Sequence, residues 1–195
     1  MIGLLAAAVI CLMCAAAGAD TWAVPSRGGG QTGTLPYGSF SGISVQLIED
    51  LATRSGPSTG YTGCGSYRMN GQYVTALSRR YDNGGVLWIE IEFSYGGGYR
   101  RAWTGAKRLS ISASQLARLP EEDPRSYLGY GTVTSQVAPR FGPGTLYAAY
   151  SDRDYFRGDE VLLLANVNGY YLTECYMADG KNLRSWIPEE VIRVR

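Results

Sequence analysis

The chain has 195 residues, and 18 basic against 17 acidic side chains leave a net charge of +1. Such a balance implies no nucleic-acid or membrane-surface footprint. There is no histidine, which removes Ser-His-Asp and Cys-His nucleophilic chemistry and almost every zinc site.

From the N-terminus, Ile2 to Ala17 is one apolar run, followed by Gly18, Ala19 and Asp20. Small residues at 17 and 19 fit a signal-peptidase cut, so residues 1–19 are expected to be a signal peptide, although no Lys or Arg precedes the run. The rival reading is an uncleaved membrane anchor, but the run is short of the about 20 residues a span needs. The expectation is therefore an exported protein with no membrane span once cleaved. Residues 20–42 hold Gly28-Gly29-Gly30, scattered Ser and Thr and two prolines, and read as a flexible leader.

A first domain is expected over 43–112. Ser44 to Leu51 alternates weakly, and Gln72 to Tyr81 reads as a strand ending at the hairpin signal Asp82-Asn83-Gly84. After it, Leu87, Ile89, Ile91, Phe93 and Tyr95 alternate with Trp88, Glu90, Glu92 and Ser94. Period two predicts the first set inward and the second toward solvent. Gly96-Gly97-Gly98 turns the chain into a further strand over Tyr99 to Thr104. Residues 113–127 are expected to be a polar linker around Pro120-Glu121-Glu122-Asp123-Pro124, with a short helical turn at Ser114 to Leu119. A second domain is expected over 128–195, with strands at Thr132 to Val137, Val161 to Val167, Tyr170 to Met177 and Arg184 to Ile187, and an Asn168-Gly169 turn.

The two domains carry the same landmarks in the same order. Arg54-Ser55-Gly56-Pro57-Ser58-Thr59-Gly60-Tyr61 is answered by Arg140-Phe141-Gly142-Pro143-Gly144-Thr145-Leu146-Tyr147. Gly71 and Val74 are answered by Gly158 and Val161, Asn83-Gly84 by Asn168-Gly169, Trp103 by Trp186, and Leu109 by Ile192. The offsets drift by a few residues, as insertions in hairpin loops allow. The reading is a duplicated domain.

An Arg-x-Gly-Pro-x-Thr-x-Tyr turn, a Gly-x-x-Val, a hairpin with an aromatic strand and a late Trp before a closing aliphatic resemble the bacterial SH3-like (SH3b) domain. The resemblance covers roughly residues 43–195. It implies all-β architecture, with a small, partly open five-stranded barrel from each copy in tandem. It also implies kinship with exported cell-wall targeting modules, which commonly stand beside peptidoglycan hydrolases. The second copy departs from the pattern at Pro139 and in the loop from Ala148 to Arg157.

Among candidate site residues, alternation makes Trp88 an exposed ring beside Glu90, suited to stacking on a peptide or glycopeptide while the carboxylate pairs an amine. The alternative is a ring packed on a neighbouring loop. Tyr61 and Arg54 are candidate ligand contacts too, although a packed tyrosine and an arginine bracing the turn through backbone carbonyls are the favoured roles, as for Tyr147 and Arg140. Gly56, Pro57, Gly142, Pro143, Trp103 and Trp186 are repeat positions with a structural job. Glu90 and Glu92, two apart on one strand, could be forced into a glycosidase pair, but a solvated face is favoured. Arg79-Arg80 and Arg100-Arg101 read as solvated edges. Cys64 and Cys175 are the only cysteines left after cleavage, and export would permit a disulfide between them.

No catalytic residue, metal site or cofactor is expected. The favoured function is a non-catalytic exported binding module for a cell-wall peptide or glycopeptide, or for an exported protein. The alternatives are a structural or regulatory protein whose domains bury each other's grooves, and a carboxylate-based hydrolase.

Overall fold

The structure, a computed structural model, describes residues 41–195. The expected signal peptide and all but the last two residues of the leader lie outside the described residues. Strands take up 51% of what is described and helix 8%, so the protein is all-β. The first half comprises β1 (Ile43–Leu47), β2 (Leu51–Arg54), β3 (Gly63–Tyr67), β4 (Tyr73–Tyr81), β5 (Leu87–Tyr95), β6 (Gly98–Gly105) and β7 (Leu109–Ser110), with a 3-10 turn at Ala106–Arg108. A six-residue helix, α1 (Ala113–Arg118), follows. The second half comprises β8 (Gly129–Val133), β9 (Glu160–Val167), β10 (Tyr170–Tyr176), β11 (Asn182–Pro188) and β12 (Ile192–Val194), with a 3-10 turn at Glu189–Val191.

The first sheet, ordered β3-β2-β6-β5-β4-β1-β7, curls into a half-barrel. The second is ordered β11-β10-β9-β8-β12. Both follow one pairing scheme: β1, β4, β5, β6 and β7 pair among themselves as β8, β9, β10, β11 and β12 do. The pairing of Arg54 with Trp103 has its counterpart in the bridge between Arg140 and Trp186.

Local chemistry explains these elements. At the end of β4 the Asp82 carboxylate accepts from the backbone N–H of Gly84 and Val86, both at 2.9 Å, closing the expected hairpin. Asn168 and Gly169 both take positive φ, 53° and 75°, as a two-residue turn between twisted strands requires. In α1 the Ser112 side chain accepts from the Gln115 N–H while the Gln115 side chain accepts from the Ser112 N–H, a reciprocal cap that starts the helix.

The first core gathers Val45, Leu47, Leu51, Val74, Ile89, Ile91 and Phe93, all buried. Ile89, Ile91 and Phe93 thus point inward as alternation predicts, while Tyr95 at the strand end is exposed. The second core is built on Val133, Phe141, Tyr150, Tyr155, Leu163 and Ile187.

Two expectations about strands change. The strand expected at Thr132 to Val137 is β8, which ends at Val133, and Val137 only bridges Tyr155. Gly63 to Gly65 open β3, an edge strand whose Gly-Cys-Gly-Ser-Tyr sequence shows no apolar period. The alternate face of β5 is solvated only toward its end, at Ser94: Trp88 is 7% and Glu90 3% exposed. Glu90 lies with Arg101, Trp103, Leu172, Arg184 and Trp186 around a cavity of about 10 Å³. Residues of both halves meet there, so the second half covers what a single sheet would leave to water.

Candidate binding groove and the seam between the halves

The two Gly-Pro turns are built alike. Arg54 donates through Nη1 to the Tyr61 carbonyl at 2.9 Å, and Arg140 donates through Nη1 to the Tyr147 carbonyl at 2.8 Å. Both arginines therefore brace their turns through the backbone, the role favoured from sequence. A Cβ on Gly56 would collide with the Tyr61 ring, and one on Gly142 with the Tyr147 ring. Glycine is required at both places by this close approach.

Each turn reaches across to the other half. The Tyr61 hydroxyl donates to the Glu174 carboxylate at 2.9 Å, and Arg184 Nε donates to the same oxygen at 2.6 Å. The Tyr147 hydroxyl donates to Glu92 at 2.5 Å, with Arg101 Nε at 2.7 Å from the same oxygen. Arg184 stands over the Tyr61 ring at 5.2 Å, and Arg101 over the Tyr147 ring at 5.3 Å. Backbone bonds repeat the exchange: Thr62 N–H donates to Asn182 and Ala148 N–H to Tyr99.

The first latch runs on into the segment expected as a solvated linker. Glu122 is 3% exposed and accepts from Arg184 Nη1 at 2.8 and 3.0 Å, and from Arg80 Nη1 at 3.0 Å. One linker carboxylate thus holds an arginine from each half, and Arg80 is no solvated edge. Glu121 beside it pairs Arg79 near the surface.

Burial pushes the Tyr61 phenol well above its usual range, and its hydrogen bond to Glu174 adds to the shift. Tyr147 is pushed up to about 12 by burial and then by its bond to Glu92. Cys64 and Cys175 are not bonded to each other, so the disulfide that export would permit is not formed. Each meets a tyrosine hydroxyl instead, Cys64 at 3.4 Å from Tyr150 and Cys175 at 3.2 Å from Tyr155. Burial raises the Cys64 thiol to about 11.

An open groove of about 840 Å³ lies on the first half. It is lined by β2 with Thr59 of the Gly-Pro turn, by the start of β3, by Val86, Leu87 and Trp88, and by Gly105 with the 3-10 turn that follows it. Its charged lining residues are Arg54, Lys107 and Arg108, with no Asp or Glu among them. Arg108 is engaged with Glu49 at 3.0 Å, whereas Lys107 is exposed.

Of the residues singled out from sequence, Trp88 and Arg54 line this groove, whereas Tyr61 and Glu90 do not. Trp88 is not the outward ring that alternation predicted. It is buried, its Nε1 donating to Asp82 at 3.0 Å. The bond from the Val86 N–H, with those from Trp88 and Gly84, holds the Asp82 carboxyl below its ordinary value. Glu90 accepts from the Ser78 hydroxyl at 3.0 Å and Glu92 is committed to Arg101 and Tyr147, so neither is a solvated carboxylate. Trp103 and Trp186 are buried, each 2% exposed, as their repeat positions implied.

Sequence reasoning missed Lys107 and Arg108. One signal was present: Lys107 is one of only two lysines, set just before the closing aliphatic Leu109. Among the described residues no group of three or more His, Cys, Asp or Glu side chains is placed to hold a metal ion. No helix there is long and apolar enough to cross a membrane. No protein-family model matches the chain, and no curated protein matches its sequence.

Proposed function

We propose that the protein is a non-catalytic, exported binding module made of two SH3-like copies, and that its first copy holds an extended, carboxylate-bearing peptide or glycopeptide of the cell wall. The observation that carries the reading is the groove: apolar lining from Ala52, Val86, Leu87 and Trp88, cations from Arg54, Lys107 and Arg108, and no acidic side chain. Apolar surface supplies contact area, and fixed cations orient a carboxylate, the usual division of labour in a peptide site. The tandem SH3-like reading is supported by the shared pairing scheme, the matched Gly-Pro turns and the 3-10 turn before each closing strand.

The non-catalytic part of the proposal rests on where the acids lie. Glu90 and Glu92 face the seam and are bound there, outside the groove.

Co-sedimentation with purified peptidoglycan sacculi tests the reading. The chain is expected to pellet with sacculi, and Lys107→Glu to weaken binding about tenfold or more while keeping the melting temperature. No sedimentation, or equal binding by Lys107→Glu, would sink it.

The seam favours a second element of function. Each half lends its Gly-Pro turn to the other, as a structural pair would, while the groove of the first half stays open. The second copy then serves chiefly as support.

A further inference from the structure

We infer that the second half sets the affinity of the groove in the first, with Tyr61 and Glu174 as positioning residues. The inference rests on the groove being the binding site. Neither residue lines the groove, but the turn they hold does, through Arg54, Thr59 and Gly63.

The far side of that turn is bonded along its length to β11 and its partners. Thr62 N–H donates to the Asn182 carbonyl at 2.8 Å, and Asn182 N–H donates to the Gly60 carbonyl at 3.0 Å. The Ser55 hydroxyl accepts from Arg184 N–H at 3.3 Å. Tyr61 closes the set on Glu174, itself fixed by Arg184, which Glu122 fixes in turn. Within the turn, Arg54 ties the groove to the same residue by donating to the Tyr61 carbonyl. A displacement of Tyr61 therefore reaches the Arg54 guanidinium through one hydrogen bond.

Without these bonds a Gly-Pro-Ser-Thr-Gly segment would sample many conformations, and a ligand would have to order it on binding. Ordering of that kind is subtracted directly from affinity. The second half does the ordering in advance.

The structure contains its own control. Tyr147 makes the mirror-image bond to Glu92, but the turn it anchors contributes no residue to the groove. Tyr61→Phe and Tyr147→Phe each delete one phenolic hydrogen bond to a glutamate and leave the ring in place.

The experiment uses the full chain, with hydrogen exchange of residues 55–65 in the absence of ligand and Kd for purified sacculi as its two readouts. Tyr61→Phe is expected to speed exchange of Ser55 and Thr62 at least about tenfold and to raise Kd about fivefold or more. Tyr147→Phe is expected to move neither, although both variants lose comparable thermal stability. Unchanged exchange in Tyr61→Phe overturns the inference. So does faster exchange with unchanged Kd, in a protein whose Lys107→Glu variant has lost binding. Binding that Lys107→Glu leaves intact removes the groove reading itself, and the inference falls with it.

Discussion

The Tyr61 hydroxyl donates to the Glu174 carboxylate at 2.9 Å, across 113 residues of sequence. Its counterpart, Tyr147 on Glu92, runs the opposite way between the halves. An exchange of equivalent groups in both directions is the pattern of an isologous interface, here within one chain. The consequence is energetic as well as geometric, because the Glu174–Arg184–Glu122 cluster that receives Tyr61 is buried.

Removing one member of a buried ion pair strands its partner's charge and typically costs about 3–5 kcal/mol. Glu122→Ala removes one of the two buried carboxylates that hold Arg184 and deprives Arg80 of the oxygen it donates to. We expect a loss of about 3 kcal/mol or more by urea denaturation. Glu121→Ala, whose side chain is 55% exposed in its pair with Arg79, should cost no more than about 1 kcal/mol. Similar losses from the two would contradict the reading of Glu122 as the tie between halves.

Trp88→Ala is expected to destabilise the fold as Trp186→Ala does. Both rings are buried, and truncating a buried Trp typically costs about 3–5 kcal/mol. An exposed Trp88 would give a variant that keeps its melting temperature and loses only binding. Thermal unfolding of the two variants side by side decides between these, and an unchanged transition in Trp88→Ala would show that the ring is not part of the packing.

High pH should unfold this protein progressively. The native state holds the Cys64 proton to about 11 against an ordinary 9.0, and the Tyr147 proton to about 12 against 10.0. Tyr61, Tyr150 and Tyr155 are displaced the same way, chiefly by burial. Since the unfolded chain releases these protons first, it binds fewer of them above pH 9, and stability falls as pH rises. The Cys64 contribution is complete below 9.0 and is lost as pH rises through about 11; that of Tyr147 is complete below 10.0 and goes by about 12. Urea midpoints at pH 8, 9.5 and 10.5 should decline in that order, and Tyr150→Phe should flatten the decline.

Alternation and turn chemistry, both local, carried the all-β architecture from sequence alone. Asp82-Asn83-Gly84 closes its hairpin because the Asp82 carboxylate accepts from the backbone of its own turn, and Asn168-Gly169 because both residues tolerate positive φ. The inward set Ile89, Ile91 and Phe93 was legible because a pleated strand repeats every two residues. Arg54 and Arg140 were legible as braces because each acts on its own turn, seven residues away.

What the tertiary structure decided is the other face of each sheet. Alternation assigns Glu90 and Trp88 to solvent, but period two registers neither the second half that meets Glu90 nor the Asp82 carboxylate that takes the Trp88 indole. Glu122 looked like one more charge in a proline-bracketed linker, since nothing local distinguishes a carboxylate headed for Arg184 from its exposed neighbour Glu121. The groove combines residues from 52 to 108, so no short motif contains it. Tyr61 and Glu174 meet only where the first half packs on the second, and a bond across 113 residues leaves no periodicity for sequence to reveal.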